Sequence, residues 1–222
     1  MTESSSLISP THPAPVPQAP REEQQRLRLM AAMTEAVAAK GYAATTIADV
    51  VGRARVSRRT FYEQFADKED CFLAAYDLAA QMVMGEITGA ASRDVAWEHR
   101  VRDGIDAYLA GMAREPAVTR VFLVEILAAG PRALARRRQV HERFAALLRA
   151  LVDAARCEHP RLGELSPDVS LALIAGINEL VLVSMESGRL DVPRLRDAAS
   201  ELVRAVIASA VIPAGEQRTG RP

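Results

Sequence analysis

The 222-residue sequence has only two cysteines and few aromatic side chains. Cys71 and Cys157 lie far apart, which supports neither a disulfide framework nor a zinc site of paired ligands and favours a reducing cytoplasm. Aromatic residues make up 5% of the chain, whereas β-sandwiches and barrels usually carry more of these rings. We therefore expect a fold without a β-sheet core.

Charge of one sign is not in excess, because 28 Lys and Arg residues balance 28 Asp and Glu residues. The N-terminus lacks a cationic start followed by an apolar stretch and a cleavage site. The most apolar later run is interrupted by Asn178 and Glu179. We expect a protein that is neither secreted nor inserted in a membrane.

Motifs of common enzymes are also missing. The histidines at 12, 99, 141 and 159 show no Glu-x-x-His or His-Glu-x-x-His spacing, so a di-iron or zinc site is not predicted. Gly-rich phosphate loops and the Gly-x-Ser-x-Gly elbow are absent as well. The sequence therefore predicts no cofactor, no metal and no catalytic residue, and we expect a protein that is not an enzyme.

What the sequence does contain is helical periodicity. Residues 1–20 are rich in Ser and Pro and predict a disordered arm. Apolar residues at three- and four-residue spacing predict a first helix over 21–40. A capping box at 46–49 begins a short second helix, and Ser57 caps a third that ends near Phe65.

Gly and Pro residues divide the rest of the chain into longer helices. A fourth helix follows Asp67 and runs to about Thr88, and further segments are predicted near 94–114, 116–129, 131–157, 167–187 and 192–210. The predicted fold class is all-α, with about nine helices. A three-helix domain at 21–67 precedes a larger helical domain at 68–212 and a flexible tail at 213–222.

The charge is unevenly distributed along the chain. Residues 21–68 hold nine cations and six acids, a net charge of +3, whereas residues 69–222 hold 19 cations and 21 acids, a net charge of −2. The densest basic cluster surrounds the turn between the second and third helices and comprises Arg53, Arg55, Arg58 and Arg59. An anionic partner is expected there, although an isolated run of arginines is more often a solvated surface.

The third helix has an outward face suited to DNA. Burial of Phe61 and Phe65 turns the other side chains of the helix outward, namely Ser57, Arg58, Arg59, Tyr62 and Glu63. Hydrogen-bond donors on such a face suit the major groove. An exposed Tyr62 is favourable when its hydroxyl meets a phosphate, and a half-buried core tyrosine is the alternative. Lys68 opens a helix where the macrodipole disfavours a cation, which a bound anion would explain.

The segment TTIADVVGRARVSRRTFYEQFADKEDCF, residues 45–72, resembles the DNA-binding domain of TetR-family transcriptional regulators. The resemblance covers roughly residues 22–80 and implies that the third helix enters the major groove. It implies that Ser57, Arg58 and Arg59 face bases or adjacent phosphates. The positions that it assigns mainly to the DNA backbone are Thr46, Thr60, Tyr62 and Lys68.

Arg55 departs from the family pattern, which usually has glycine at this turn position. A left-handed backbone costs a non-glycine residue about 1 kcal/mol. Either the turn differs or Arg55 tolerates the strain. We expect Arg55 to make a phosphate contact that offsets the cost.

The larger domain ends in two helices suited to pairing with a second copy. Residues 170–185 are apolar almost all round, which indicates burial on two sides, and the final helix carries an apolar stripe. We expect a homodimer joined by four helices across a two-fold axis, which matches a palindromic operator. The candidate interface residues are Ile174, Ile177, Val181, Leu195, Leu202 and Val206.

Bulky or soft side chains on the middle helices are candidates for a largely apolar ligand pocket. These are Met84, Trp97, Tyr108, Met112, Phe122, Ile126, Phe144 and Met185, with polar orientation from His141 or Asn178. Simple core packing is the alternative for most of them. A second basic run at 132–138 is interpreted as a solvated helix face rather than a DNA contact.

Taken together, the sequence predicts a sequence-specific DNA-binding transcriptional regulator. The resemblance implies a repressor that a small molecule releases from its operator through a change in the fourth helix. The alternative is a helical dimeric adaptor that binds proteins and keeps only a vestigial DNA-binding head. The outward face of the third helix argues for retained DNA binding.

Overall fold

The computed structural model describes residues 20–92, 95–188 and 190–209. Within these ranges the protein has nine α-helices, one 3₁₀ helix and no strand, which confirms the predicted all-α class. The expected N-terminal arm, apart from Pro20, and the expected tail at 213–222 lie outside the described residues.

The helices follow one another with short connections. Their bounds are α1 Arg21–Lys40, α2 Ile47–Ala54, α3 Arg58–Gln64, α4 Lys68–Ala91, α5 Trp97–Arg114, α6 Pro116–Leu123, α7 Pro131–Glu158, α8 Pro167–Glu186 and α9 Val192–Ser209. The segment predicted as one helix over 116–129 is instead divided. It consists of α6 and a 3₁₀ helix, Glu125–Ala128.

Local capping explains why the helices begin where they do. Thr46 and Asp49 form the expected capping box at the start of α2, and the Ser57 hydroxyl accepts a hydrogen bond from the Thr60 backbone N–H at 3.0 Å. Asp67 caps α4 by accepting from the Asp70 backbone N–H at 2.7 Å. These bonds satisfy amide groups that a helix cannot pair internally.

The three N-terminal helices share a small core with the beginning of α4. Phe61 and Phe65 are both buried, as the sequence predicted, and they lie among the side chains of Leu29, Val50 and Phe72. The two phenylalanine rings lie 5.8 Å apart. Because this core fixes one face of α3, the opposite face points outward.

The larger domain is a bundle in which α4 packs against α5 and α7, α8 packs against α7, and α9 packs against α5. α4 runs unbroken from the small helical unit into this bundle, and α1 also packs on α6. The expected division into 21–67 and 68–212 stays a prediction. The bundle core continues into the small unit without a break.

One helix in the described residues, α8, is long and apolar enough to cross a membrane by length and composition alone. Its inward face, which includes Leu173, Ile177 and Val181, belongs to the core of the bundle. The core helix of a soluble protein meets the same criteria, so this finding is weak support for a membrane span.

Candidate DNA-binding surface and ligand cavity

The turn between α2 and α3 has the left-handed conformation that the sequence placed in question. Arg55 has φ 53° and ψ 47°, and it is the only non-glycine residue with positive φ among the described residues. The Arg28 guanidinium donates to the carbonyl oxygens of Ala54 and Arg55. Arg28 therefore holds the end of α2 in place, a role that its position on α1 did not reveal in the sequence.

The outward face of α3 carries polar and charged side chains. Arg58 and Arg59 are exposed, and Tyr62 is 55% exposed, with the centre of its ring 5.5 Å from that of Phe61. The Arg59 Nε donates to Glu63 at 2.9 Å. Such an exposed pair contributes little to stability, which leaves the guanidinium available to an anionic partner.

Thr46 and Lys68 serve the loop that leads into α2. The Lys68 ammonium donates to the carbonyl oxygens of Tyr42 and Thr45, each at 2.9 Å, and lies 4.2 Å from the centre of the Tyr42 ring. Burial lowers the pKa of Lys68. These two carbonyl groups therefore stabilise the Lys68 cation at the start of α4. Phosphate contacts by Thr46 and Lys68 stay predictions.

Asp49 is held ionised at the start of α2. Its carboxylate accepts from the Lys40 ammonium at 2.5 Å and from the Thr46 backbone N–H at 2.7 Å. The hydrogen bond from Lys40, followed by those from Thr46, keeps the pKa of Asp49 well below its usual range. The first turn of α2 therefore carries a fixed negative charge that suits the helix dipole.

The second basic run of the sequence lies along α7 and pairs with acids of α4. Arg132 contacts Asp67 and Glu69 at 3.2 and 3.3 Å. Arg136 and Arg143 both pair with Asp77. These contacts tie α7 to α4, in keeping with a role on the helix surface.

A largely apolar cavity of about 120 Å³ lies between α4, α5, α6, α7 and α8. Of the ten predicted ligand residues, six line it: Tyr108, Met112, Phe122, His141, Phe144 and Asn178. The other four, Met84, Trp97, Ile126 and Met185, do not line this cavity. Ile126 is fully buried core, and the Trp97 ring packs on His159 with centres 6.1 Å apart.

Several other residues that line the cavity were not among the predicted ones. Tyr76, Ala80 and Val83 face the cavity from α4, and Thr119 and Leu123 face it from α6. The spacing of 76, 80 and 83 along one face of α4 was a detectable signal. The prediction chose ligand residues by the size of the side chain, and this criterion also selects residues that pack in the core.

One end of the cavity is polar but uncharged. The Tyr108 hydroxyl donates to Asn178 Oδ1 at 2.5 Å, and Asn178 Nδ2 lies 3.3 Å from His141 Nε2. Burial, followed by the nearby Arg137 charge, lowers the pKa of His141 to about 4. A neutral His141 accepts from Asn178 and carries its proton on Nδ1, so the three side chains form a neutral network.

The family model for bacterial regulatory proteins, tetR family, matches residues 29–75, which span most of α1, α2, α3 and the beginning of α4. The helical unit at residues 29–75 is therefore similar to the N-terminal domain of tetR-family regulatory proteins. No curated protein sequence matches the chain.

Solved structures of TetR-family and related regulators share the fold. FadR from Bacillus subtilis, in complex with stearoyl-CoA, is 14% identical, with 80% of this chain and 96% of that chain covered at a TM-score of 0.70. FadR from Bacillus halodurans, a fatty acid degradation regulator, is 16% identical, with 81% and 94% covered at a TM-score of 0.73. A tetR-family regulatory protein from Rhodococcus RHA1 is 21% identical, with 82% and 96% covered at a TM-score of 0.64.

Of the six residues predicted for a dimer interface, four point into the single chain. Ile174, Ile177, Val181 and Leu195 are buried in the core of the single chain, so they are not free to meet a second copy. The prediction took the inward stripe of α8, because an all-apolar helix does not reveal which side faces out. Leu202 is 37% exposed, and Val206 is half-buried.

Proposed function

We propose that the protein is a sequence-specific DNA-binding transcriptional regulator of the cytoplasm, acting as a repressor rather than as an enzyme. The observation that carries this proposal is the exposed face of α3, where Arg58, Arg59 and Tyr62 stand clear of the core. Ser57 and Thr60 are joined through their hydroxyl oxygens at 2.9 Å at the start of the same helix. A helix of this kind fits the major groove with its N-terminal residues toward the bases.

A homodimer is the expected form. α8 exposes Val169, Leu180 and Val183 on its outward side, and α9 exposes Leu202. Gly176 lies on the same side of α8 with open space beside it. An apolar stripe on two adjacent helices supports a four-helix contact across a two-fold axis. Two copies of α3 would then read half-sites of a palindromic operator about 34–36 Å apart.

The cavity supports a small-molecule effector that is largely apolar. An apolar cavity of roughly 150 Å³ accepts benzene, so the present space of about 120 Å³ suits only a ligand of similar size. A larger effector would have to displace α4 or α6. The neutral network of Tyr108, Asn178 and His141 favours a hydrogen-bonding group over an ionised one. Glu115 is the one residue with a carboxylate among those that line the cavity.

DNA binding is tested with purified protein and DNA from upstream of its own gene, against unrelated DNA, over ~50–200 mM salt. We expect a preference of about 10³-fold or more. Arg58→Ala should cost about 1–3 kcal/mol and relax the preference at one base position. Arg138→Ala, which removes an exposed arginine from α7, is the matched control and should change neither.

Equal and weak binding to both DNAs, unaffected by Arg58→Ala, would contradict the proposal. It would favour the adaptor interpretation instead. A loss of affinity with both arginine variants would show that binding depends on overall charge and not on α3.

A further inference from the structure

A side-chain hydrogen bond joins the two helical units in addition to α4 and the packing of α1 on α6. The Glu125 carboxylate, in the 3₁₀ helix after α6, accepts a hydrogen bond from the Tyr42 backbone N–H at 2.8 Å. The contact is close, because a side chain added at Gly41 would place its Cβ 3.2 Å from the Glu125 oxygen. Gly41 also has φ 79°, a conformation that favours glycine. The local backbone is thus shaped to receive this carboxylate.

The loop at 41–46 that Glu125 holds determines where α2 begins. The Thr45 hydroxyl donates to the Gly41 carbonyl at 2.8 Å, and Lys68 binds the carbonyls of Tyr42 and Thr45. Thr46, the next residue, caps α2. Because α2 and α3 share one core, a shift of this loop moves the DNA-facing helix as well.

The other end of the connection reaches the cavity. Phe122 and Leu123 of α6 line the cavity, three and two residues before Glu125. A row of aromatic rings follows the same direction: Tyr76 and Phe122 are 5.5 Å apart, Phe122 and Phe72 6.0 Å, and Phe72 and Tyr42 4.9 Å. The wall of the cavity is therefore connected to the loop at 41–46 by a continuous series of contacting side chains.

We infer that Glu125 is a positioning residue that fixes the DNA-binding helices relative to the cavity, and that an effector acts by withdrawing this carboxylate from Tyr42. This inference rests on the proposed function. An occupant larger than the cavity pushes α6 outward and carries the 3₁₀ helix with it. The Tyr42 amide then loses its acceptor, and the loop at 41–46 is freed.

The tether is tested without DNA by amide hydrogen exchange at Tyr42. Glu125→Ala should accelerate this exchange about 10-fold or more, because a hydrogen bond to a charged acceptor is lost. Glu125→Gln keeps an oxygen acceptor and should exchange more slowly than Glu125→Ala. Equal exchange in all three proteins would overturn the inference.

The link to the cavity is tested by filling it from α4. Ala80→Trp places a large ring at a buried lining position, and Ala79→Trp does so at a partly exposed one. The test uses whichever of these two variants unfolds cooperatively on heating. In that variant, hydrogen exchange at the Tyr42 amide should accelerate as it does in Glu125→Ala. If a variant folds with its cavity filled and exchange at the Tyr42 amide is unchanged, the cavity does not act on Glu125.

The positioning role is tested on the DNA fragment that the wild-type protein prefers. Glu125→Ala should bind it about 5- to 20-fold more weakly. Glu164→Ala removes an exposed carboxylate elsewhere and should leave binding unchanged or slightly tighter, because it only lowers repulsion of phosphates. Unchanged or tighter binding by Glu125→Ala would overturn the positioning role. A wild-type protein with no preference among DNA sequences would contradict the proposed function instead. The hydrogen-exchange result would still decide whether Glu125 holds the Tyr42 amide.

Discussion

At the scale of a single residue, Arg55 keeps a strained left-handed backbone conformation. Its left-handed backbone is strained by about 1 kcal/mol relative to glycine, and Arg28 donates to the carbonyl oxygens on both sides of the Ala54–Arg55 bond. The exposed Arg55 side chain lies beside Arg53 and Arg58 along the chain. The position thus adds positive charge to the turn at a modest conformational cost.

Arg55→Gly relieves the left-handed backbone and removes the charge at the same time, but only the loss of charge changes the salt dependence of DNA binding. We expect the salt dependence of DNA binding, plotted as logarithms, to lose about one unit of slope, because one phosphate contact disappears. Fluorescence anisotropy at several salt concentrations measures the slope. An unchanged slope would mean that the arginine contacts no phosphate and is a plain substitution for glycine.

His141 makes the stability of the protein depend on pH. Its pKa is lowered by burial to about 4 from a reference of 6.5, so the unfolded chain binds more protons between these values. Stability is then fully present above pH 6.5 and falls as the pH is lowered toward 4. Between pH 6.5 and 5 the expected loss is about 2 kcal/mol in the free energy of unfolding.

Urea denaturation at the two pH values measures this loss. His141→Gln does not titrate in this range and offers an amide near Asn178, so its stability should fall much less between pH 6.5 and 5. A parallel fall in both proteins would assign the pH dependence to other groups.

At the scale of helices, α8 has two faces with different tasks. Its inward face carries Ile177, Asn178 and Val181 into the core, while Leu180 and Val183 lie exposed on the outward face. Glu179, next to Asn178 in sequence, is exposed. The polar pair that the sequence singled out is therefore divided between the cavity and the surface.

Leu180→Glu tests the outward face of α8 as a dimer contact. A charge in the centre of an apolar interface should raise the dimer dissociation constant about 10-fold or more. Leu134→Glu is the matched control, since Leu134 is an exposed leucine on α7. Sedimentation measures the oligomeric state, and identical behaviour of the two variants would place the contact elsewhere.

The contrast between α2 and α8 explains how far the sequence could predict the structure. The start of α2 follows from Thr46 and Asp49, which act on their own backbone, and local signals of this kind can be read from a few residues. The inward face of α8 depends on which helices it packs against, and its apolar pattern is nearly uniform. The cavity depends on Ala80 and Leu123 as much as on its rings, and which of these side chains meet around one space is decided by helix packing that the sequence does not specify.

At the scale of the whole molecule, the near-zero net charge conceals a polarity between its two parts. The basic excess lies in residues 21–68, and the mild acidic excess lies in residues 69–222. DNA is therefore attracted to one end and weakly repelled by the other, which orients the protein as it approaches. Tight binding to DNA then depends on how rigidly residues 21–68 are held against the rest of the chain.

The contact between Glu125 and Tyr42 has a mechanical consequence. Each separate attachment of a rigid body removes directions in which it can turn. The helices α1, α2 and α3 are attached to the bundle through α4, through the packing of α1 on α6 and through the Glu125 contact. In the proposed mechanism, loss of the carboxylate removes one of these attachments, so the three helices would tilt and twist away from the orientation that two fixed half-sites require.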